Sequence, residues 1–154
     1  MREIKFRAWD AKKKLMVESG NYSDYSFAFE NSTLRCWRID EPPHHDATSI
    51  SNIMQYTGLS DKNGIEIYEG DIVSQELSVS YGGDGYSEGV DIDNTFVGEV
   101  AVLASKGVCM KKPKVTDNYD ESTTRSNGYI NVRGYRCEII GNIFQNPELI
   151  KELS

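Results

Sequence analysis

The stretch "MQYTGLSDKNGIEIYEGDIV", Met54 to Val73, decides the fold. Its apolar residues keep strand spacing, with Ile65 and Ile67 alternating before Ile72 resumes, while its polar residues collect where a chain must turn. Asn63-Gly64 is among the strongest short hairpin signals, because both residues tolerate positive φ. Gly70-Asp71 marks a second sharp turn. A hairpin feeding a small β-barrel follows from the pattern, and no reactive constellation is written there.

Outward from it, Ile4, Phe6 and Ala8 alternate with Lys5, Arg7 and Trp9, which predicts a half-buried first strand with the latter three on its outer face. "DAKKKL" reads as a turn and "LMV" as its return. Residues 18–40 mix Ser, Asn and Asp with aromatics and read as short strands, and "EPPHHDATS" reads as a loop. "SYGGDGYSEG" (80–89) carries four glycines and "KPKVTDNYDESTTRSNG" is polar, so long loops are expected at about 74–98 and 112–128. "TFVGEVAVLASKGVCM" predicts two strands around Ser105-Lys106-Gly107, and "YINVRGYRCEIIGNIF" closes the sheet. The tail predicts a short helix, with Asn146 as cap, Pro147 at its first position and Glu148 near its positive end.

The 154 residues suffice for a real core, and nine Tyr, five Phe and two Trp favour strands. Two segments are expected, 1–53 as an N-terminal β lobe packed on a barrel and 54–154 as the barrel with its long loops and C-terminal helix. Cys36, Cys109 and Cys137 are odd in number and form no CxxC pair, so buried thiols are expected, not disulfides or a zinc knuckle. The charged N-terminus cannot be the apolar core of a signal peptide, and no run reaches membrane-spanning length, which points to the cytoplasm of a bacterial cell and to no membrane partner.

A net charge of -7 disfavours a generic DNA coat. The charges are segregated, however. Residues 1–14 hold six bases against two acids, residues 66–100 hold nine acids and no Lys or Arg, and Lys106, Lys111, Lys112 and Lys114 then form a basic patch. Solvated faces are the simpler reading, yet such separation permits an anion site.

Three segments in order, "MREIKFRAWD", the Met54–Val73 stretch and "CEIIGNIFQNPEL", resemble the YopX family of small phage and prophage proteins. That resemblance implies a mainly-β protein whose C-terminal part is an SH3-like barrel, and a homo-oligomer, with a hexamer among the sizes it suggests. It supplies turn residues (Gly58, Asp61, Gly64, Gly70, Asp71, with Gly141 and Asn142 near the closing strand) and no catalytic residue.

Candidate chemistry is sparse. His44-His45-Asp46 offers metal-ligand types, but adjacent histidines in a strand point to opposite faces and no third ligand has suitable spacing. Asp84, Glu88, Asp91 and Asp93 match no complete calcium-loop template. No GxSxG elbow, Walker lysine or Rossmann spacing is present, so neither a cofactor nor catalytic residues are expected, a metal-assisted hydrolase being the minority reading. Indole rings stack on bases and guanidinium groups hold phosphate, which makes Lys5, Arg7, Trp9, Trp37 and Arg38, with Lys111 and Lys112, the candidate ligand-binding set. Burial of both Trp side chains in the core is the competing reading. The expected function is a non-enzymatic, homo-oligomeric phage or prophage accessory protein that sequesters a small nucleotide-type host defence signal. The alternative is a regulator that binds nucleic acid or a host protein through its barrel.

Overall fold

In the computed structural model, residues 3–20, 24–39, 47–81 and 90–151 are described, and the protein is mainly β. It divides into two units, Met1–Gly58 and Leu59–Ser154. One strand, Asn52–Ser60, runs without a break across both this division and the 53/54 boundary expected from the sequence.

The first unit holds β1 (Phe6–Asp10), β2 (Leu15–Glu18), β3 (Tyr25–Glu30), β4 (Thr33–Ile39), β5 (Ala47–Ile50) and most of β6 (Asn52–Ser60). β1 lies between β2 and β6, and β4 lies between β3 and β5, all antiparallel. Ala8, Val17, Tyr25, Cys36 and Ile50 form its core. β1 departs from simple alternation. Ala8 points into the core as expected, but Trp9 and Asp10 are buried as well, so the strand is covered on both faces and Trp9 is not on an outer face.

The second unit begins where β6 passes into its hairpin with β7 (Glu66–Tyr68). The turn forms as the sequence demands, with one difference. Gly64 takes φ 81, whereas Asn63 stays out of the left-handed region. The Asp61 carboxylate does the remaining work: Oδ1 accepts the N–H groups of Asn63 (2.8 Å) and Ile65 (3.0 Å).

Beyond it come β8 (Asp71–Tyr81), β9 (Val90–Leu103), β10 (Gly107–Asp117), β11 (Thr123–Arg125), β12 (Tyr129–Asn131), a 3-10 turn at Gly134–Arg136, β13 (Cys137–Asn142) and α1 (Glu148–Lys151). Their antiparallel order is β11-β10-β9-β8-β13, with β12 also on β10. Both long loops expected from composition are corrected here. Ser74 to Tyr81 and Val90 to Val97 are paired residue for residue, and Gln75 and Leu77 carry on the alternation begun at Val73. Likewise β10 runs to Asp117 and β11 returns along it, leaving only a short turn between them. Residues 82–89 lie outside the described set.

Ile67, Val73, Val100, Met110, Val132 and Cys137 form the second core. β13 pairs with β8 on one side, and the hairpin turn covers its other edge. The Asp61 Oδ2 accepts the Ile139 N–H at 3.2 Å, and the Lys62 N–H donates to the Cys137 carbonyl at 2.9 Å. An unpaired edge is thereby closed within the unit. Gly134 fits only because it lacks a side chain, since a Cβ there would stand 2.2 Å from the Ser60 carbonyl oxygen.

Candidate anion-binding site

A hollow of about 290 Å³ opens on the second unit where β10 is interrupted. The interruption is written in the sequence. Pro113 has no N–H to give to a ladder, and the β9–β10 register shifts between Lys111 and Lys114. Lys112 takes φ 40 in the bulge, a conformation that L-residues adopt at a cost. In an unbroken strand Lys111 would face away from Lys112 and Lys114. The bulge re-aims the chain, and all three lysines line one hollow.

The flanking strands add to this. β11 places Arg125 directly opposite Lys114, and β12 places Tyr129 opposite Lys111. Arg125 lines the hollow and donates from its guanidinium to the Ile150 carbonyl of α1. Leu149 and Ile150 supply an apolar wall. The one carboxylate in the lining is Glu99, which faces Lys111 across the β9–β10 ladder and binds its Nζ at 2.9 Å. Four cationic side chains thus meet one anionic one on a chain whose net charge is -7. Like charges placed directly opposite across two strands repel, and the Lys114–Arg125 pair is such a placement. A bound anion would relieve it.

The candidates from the first unit fare differently. Arg38 is 2 % exposed and its Nη1 meets Asp10 Oδ2 at 2.5 Å. The same oxygen accepts the Tyr25 hydroxyl at 2.9 Å, while Oδ1 accepts the N–H groups of Lys12 and Lys13. Burial pushes the Asp10 carboxyl up, but the Lys13, Arg38 and Tyr25 hydrogen bonds prevail and hold it at about 2. Burial and the bond to Asp10 push Tyr25 up to about 12. This is a satisfied internal network, and it occupies the Arg38 guanidinium. Trp9 and Arg38 share a small hollow of about 170 Å³, but Lys5, Arg7 and Trp37 are not among its lining residues. Lys5 sits over the Tyr56 ring at 5.4 Å and pairs with Glu3, and an Arg7 Nη2 approaches the Met54 sulfur at 3.7 Å. Lys111 and Lys112 are the two candidates that the fold brings into one cationic site.

Sequence reasoning missed Arg125, Tyr129 and the apolar wall. The proline in "KKPK" was the available signal, since a proline between lysines in a strand implies a bulge. The three thiols are buried and unpaired as expected. Burial raises all of them, Cys36 and Cys137 to about 11. Among the described residues no group of three or more His, Cys, Asp or Glu gathers to hold a metal. His44-His45-Asp46, Asp84 and Glu88 lie outside them, as does the side chain of Asp91. No described helix is long and apolar enough to cross a membrane.

A model described as "YopX protein" matches residues 5–151. Among solved structures, protein EF1440 from Enterococcus faecalis is 28% identical over 98% of this chain and 100% of its own, with a TM-score of 0.46. No curated protein matches the sequence.

Proposed function

The chain belongs to the YopX family, and we propose that this protein is a non-enzymatic binding protein that holds a small nucleotide-type anion in the β10–β11 hollow. The observation that carries the reading is the placement of Lys114 opposite Arg125 on the wall of a hollow that also collects Lys111 and Lys112. Such repulsion is tolerated where a ligand's negative charge is to be received. The Tyr129 ring and the Leu149–Ile150 wall offer apolar surface for a base, while the cations hold phosphate.

Binding without turnover agrees with the titratable groups elsewhere in the chain. Thiols raised to about 11 are protonated at neutral pH and make poor nucleophiles. The Asp61 carboxyl is pushed up by burial but lowered further by the N–H groups of Ile65, Ile139 and Asn63, so it stays ionised and engaged. The protein then acts as a sequestering partner, with a host defence nucleotide as cargo and a phage or prophage setting. Self-association fits exposed apolar side chains such as Phe29, 69 % exposed, in the first unit and Tyr135, 72 % exposed, in the second.

Isothermal titration with ATP tests the reading. We expect binding that weakens with salt, and a loss of roughly tenfold or more in the Lys111→Glu/Lys114→Glu double variant. Absence of ATP binding, or binding untouched by that charge reversal, would refute it.

A further inference from the structure

The hollow does not end at Tyr129. A second hollow of about 520 Å³ is lined by Lys106, Arg133, Leu77 and Asn131 among others, and Tyr129 belongs to both linings. Its charged lining groups, Lys106 and Arg133, are both cationic. Lys106 reaches over the Tyr129 ring, its Nζ 5.7 Å from the centroid. The 44 % exposed ring is thus shared by two hollows that each hold cations.

The strip that carries this ring is held in place from beneath. Gln75 is fully buried, and its side-chain amide donates to the Asn131 carbonyl at 3.1 Å while its carbonyl accepts the Arg133 N–H at 2.7 Å. The Val132 N–H donates to the Val108 carbonyl at 3.1 Å between those two anchors. Residues 129–133 therefore present Tyr129 and Arg133 from a backbone fixed on both sides, which lowers the ordering cost of binding.

Resting on the reading above, we propose that the occupant is a dinucleotide. One nucleotide fills the β10–β11 hollow with its phosphate on Lys111, Lys112, Lys114 and Arg125. The chain then passes Tyr129, where a base stacks on the exposed ring, and the second phosphate reaches Lys106 and Arg133. A mononucleotide meets only the first set of cations. Two cationic hollows joined at one aromatic ring match two linked nucleotides in charge and in the position of a stacking surface.

Three probes decide it by titration calorimetry: AMP, a 5′-phosphorylated adenylyl dinucleotide and a longer oligoadenylate strand. The dinucleotide should bind about tenfold tighter than AMP, and Arg133→Glu should bring the ratio of the two affinities close to unity. Lys114→Glu should weaken both. AMP binding that depends on Lys114 with no gain for the dinucleotide sinks this inference and leaves the proposed function standing. A ratio unmoved by Arg133→Glu also overturns it. If the longer strand binds much more tightly than the dinucleotide, with a steeper salt dependence, the occupant is a nucleic acid instead. Failure of all three probes removes both readings.

Discussion

Replacing Asp10 by Asn keeps the shape of the buried side chain and removes its charge. Arg38, 2 % exposed, then has a buried guanidinium facing an amide, and the Lys12 and Lys13 N–H groups and the Tyr25 hydroxyl lose a charged acceptor. Breaking a buried ion pair by removing one partner costs about 3–5 kcal/mol. That is a large share of the roughly 5–15 kcal/mol by which a typical domain is stable. Both Trp residues of the chain, Trp9 and Trp37, lie in the first unit, so urea unfolding followed by Trp fluorescence reads that unit. Asp10→Asn should lower its midpoint strongly at neutral pH. The double replacement Asp10→Leu/Arg38→Met should recover part of the loss, because no buried charge is left alone. Acid gives a second reading of the same pair. The native Asp10 carboxyl lies at about 2, below its ordinary 3.8, so the unfolded chain binds the proton more readily and stability falls as pH falls. The displacement is worth about 2 kcal/mol, present above the ordinary value and lost between about pH 4 and pH 2. Asp10→Asn should flatten that acid limb of the Trp signal. Equal midpoints for the wild type and Asp10→Asn at neutral pH would refute the argument.

Three further outcomes follow from the second unit. Lys114→Glu turns a repulsive cross-strand pair with Arg125 into an attractive one, so the melting temperature without ligand should rise, by about 0.5–1 kcal/mol in stability, while ATP binding falls. Lys112→Gly removes the cost of φ 40 and should stabilise the free protein by about 1 kcal/mol in thermal unfolding, again with weaker ATP binding. Asp61→Ala strips an acceptor from three N–H groups, those of Asn63, Ile65 and Ile139, and should cost about 2–4 kcal/mol in chemical denaturation followed by circular dichroism. An unchanged midpoint there would mean that water replaces the carboxylate at the turn.

Local patterns made the hairpin around Gly64 and the terminal helix legible in the sequence, because each depends on residues close together in the chain. Asn146 shows the limit of such reading. It precedes α1 as expected, but its Oδ1 accepts the Asn142 N–H at 3.3 Å, a partner on the strand side. Composition misled for much of 74–98 and 112–128, where polar residues point to loop and the chain instead forms paired strands over 74–81, 90–98, 112–117 and 123–125. An antiparallel strand needs only one apolar face, and half its residues can be polar without loosening it. The first strand misled in the opposite way. Alternation put Lys5, Arg7 and Trp9 on an open face, and nothing local shows that Arg38 will neutralise Asp10 in the interior.

The site was half legible for a related reason. "KKPK" names its lysines and its bulge, but Arg125 and Tyr129 join them only through the β10–β11 and β10–β12 registers, which adjacent residues do not encode. The opposite strand makes the bulge possible. Gly98 leaves room for it, since a Cβ there would lie 3.1 Å from the Met110 Cβ and 3.2 Å from the Pro113 Cβ, with the Pro113 backbone close behind at 3.3 Å. Gly98 lets Pro113 sink against β9, the sunken proline offsets the register, and the offset brings Lys111 to the same hollow as Lys112 and Lys114. The lysines supply charge, while a glycine and a proline decide where that charge converges. Removing the bulge would leave every cation in the sequence and disperse the site.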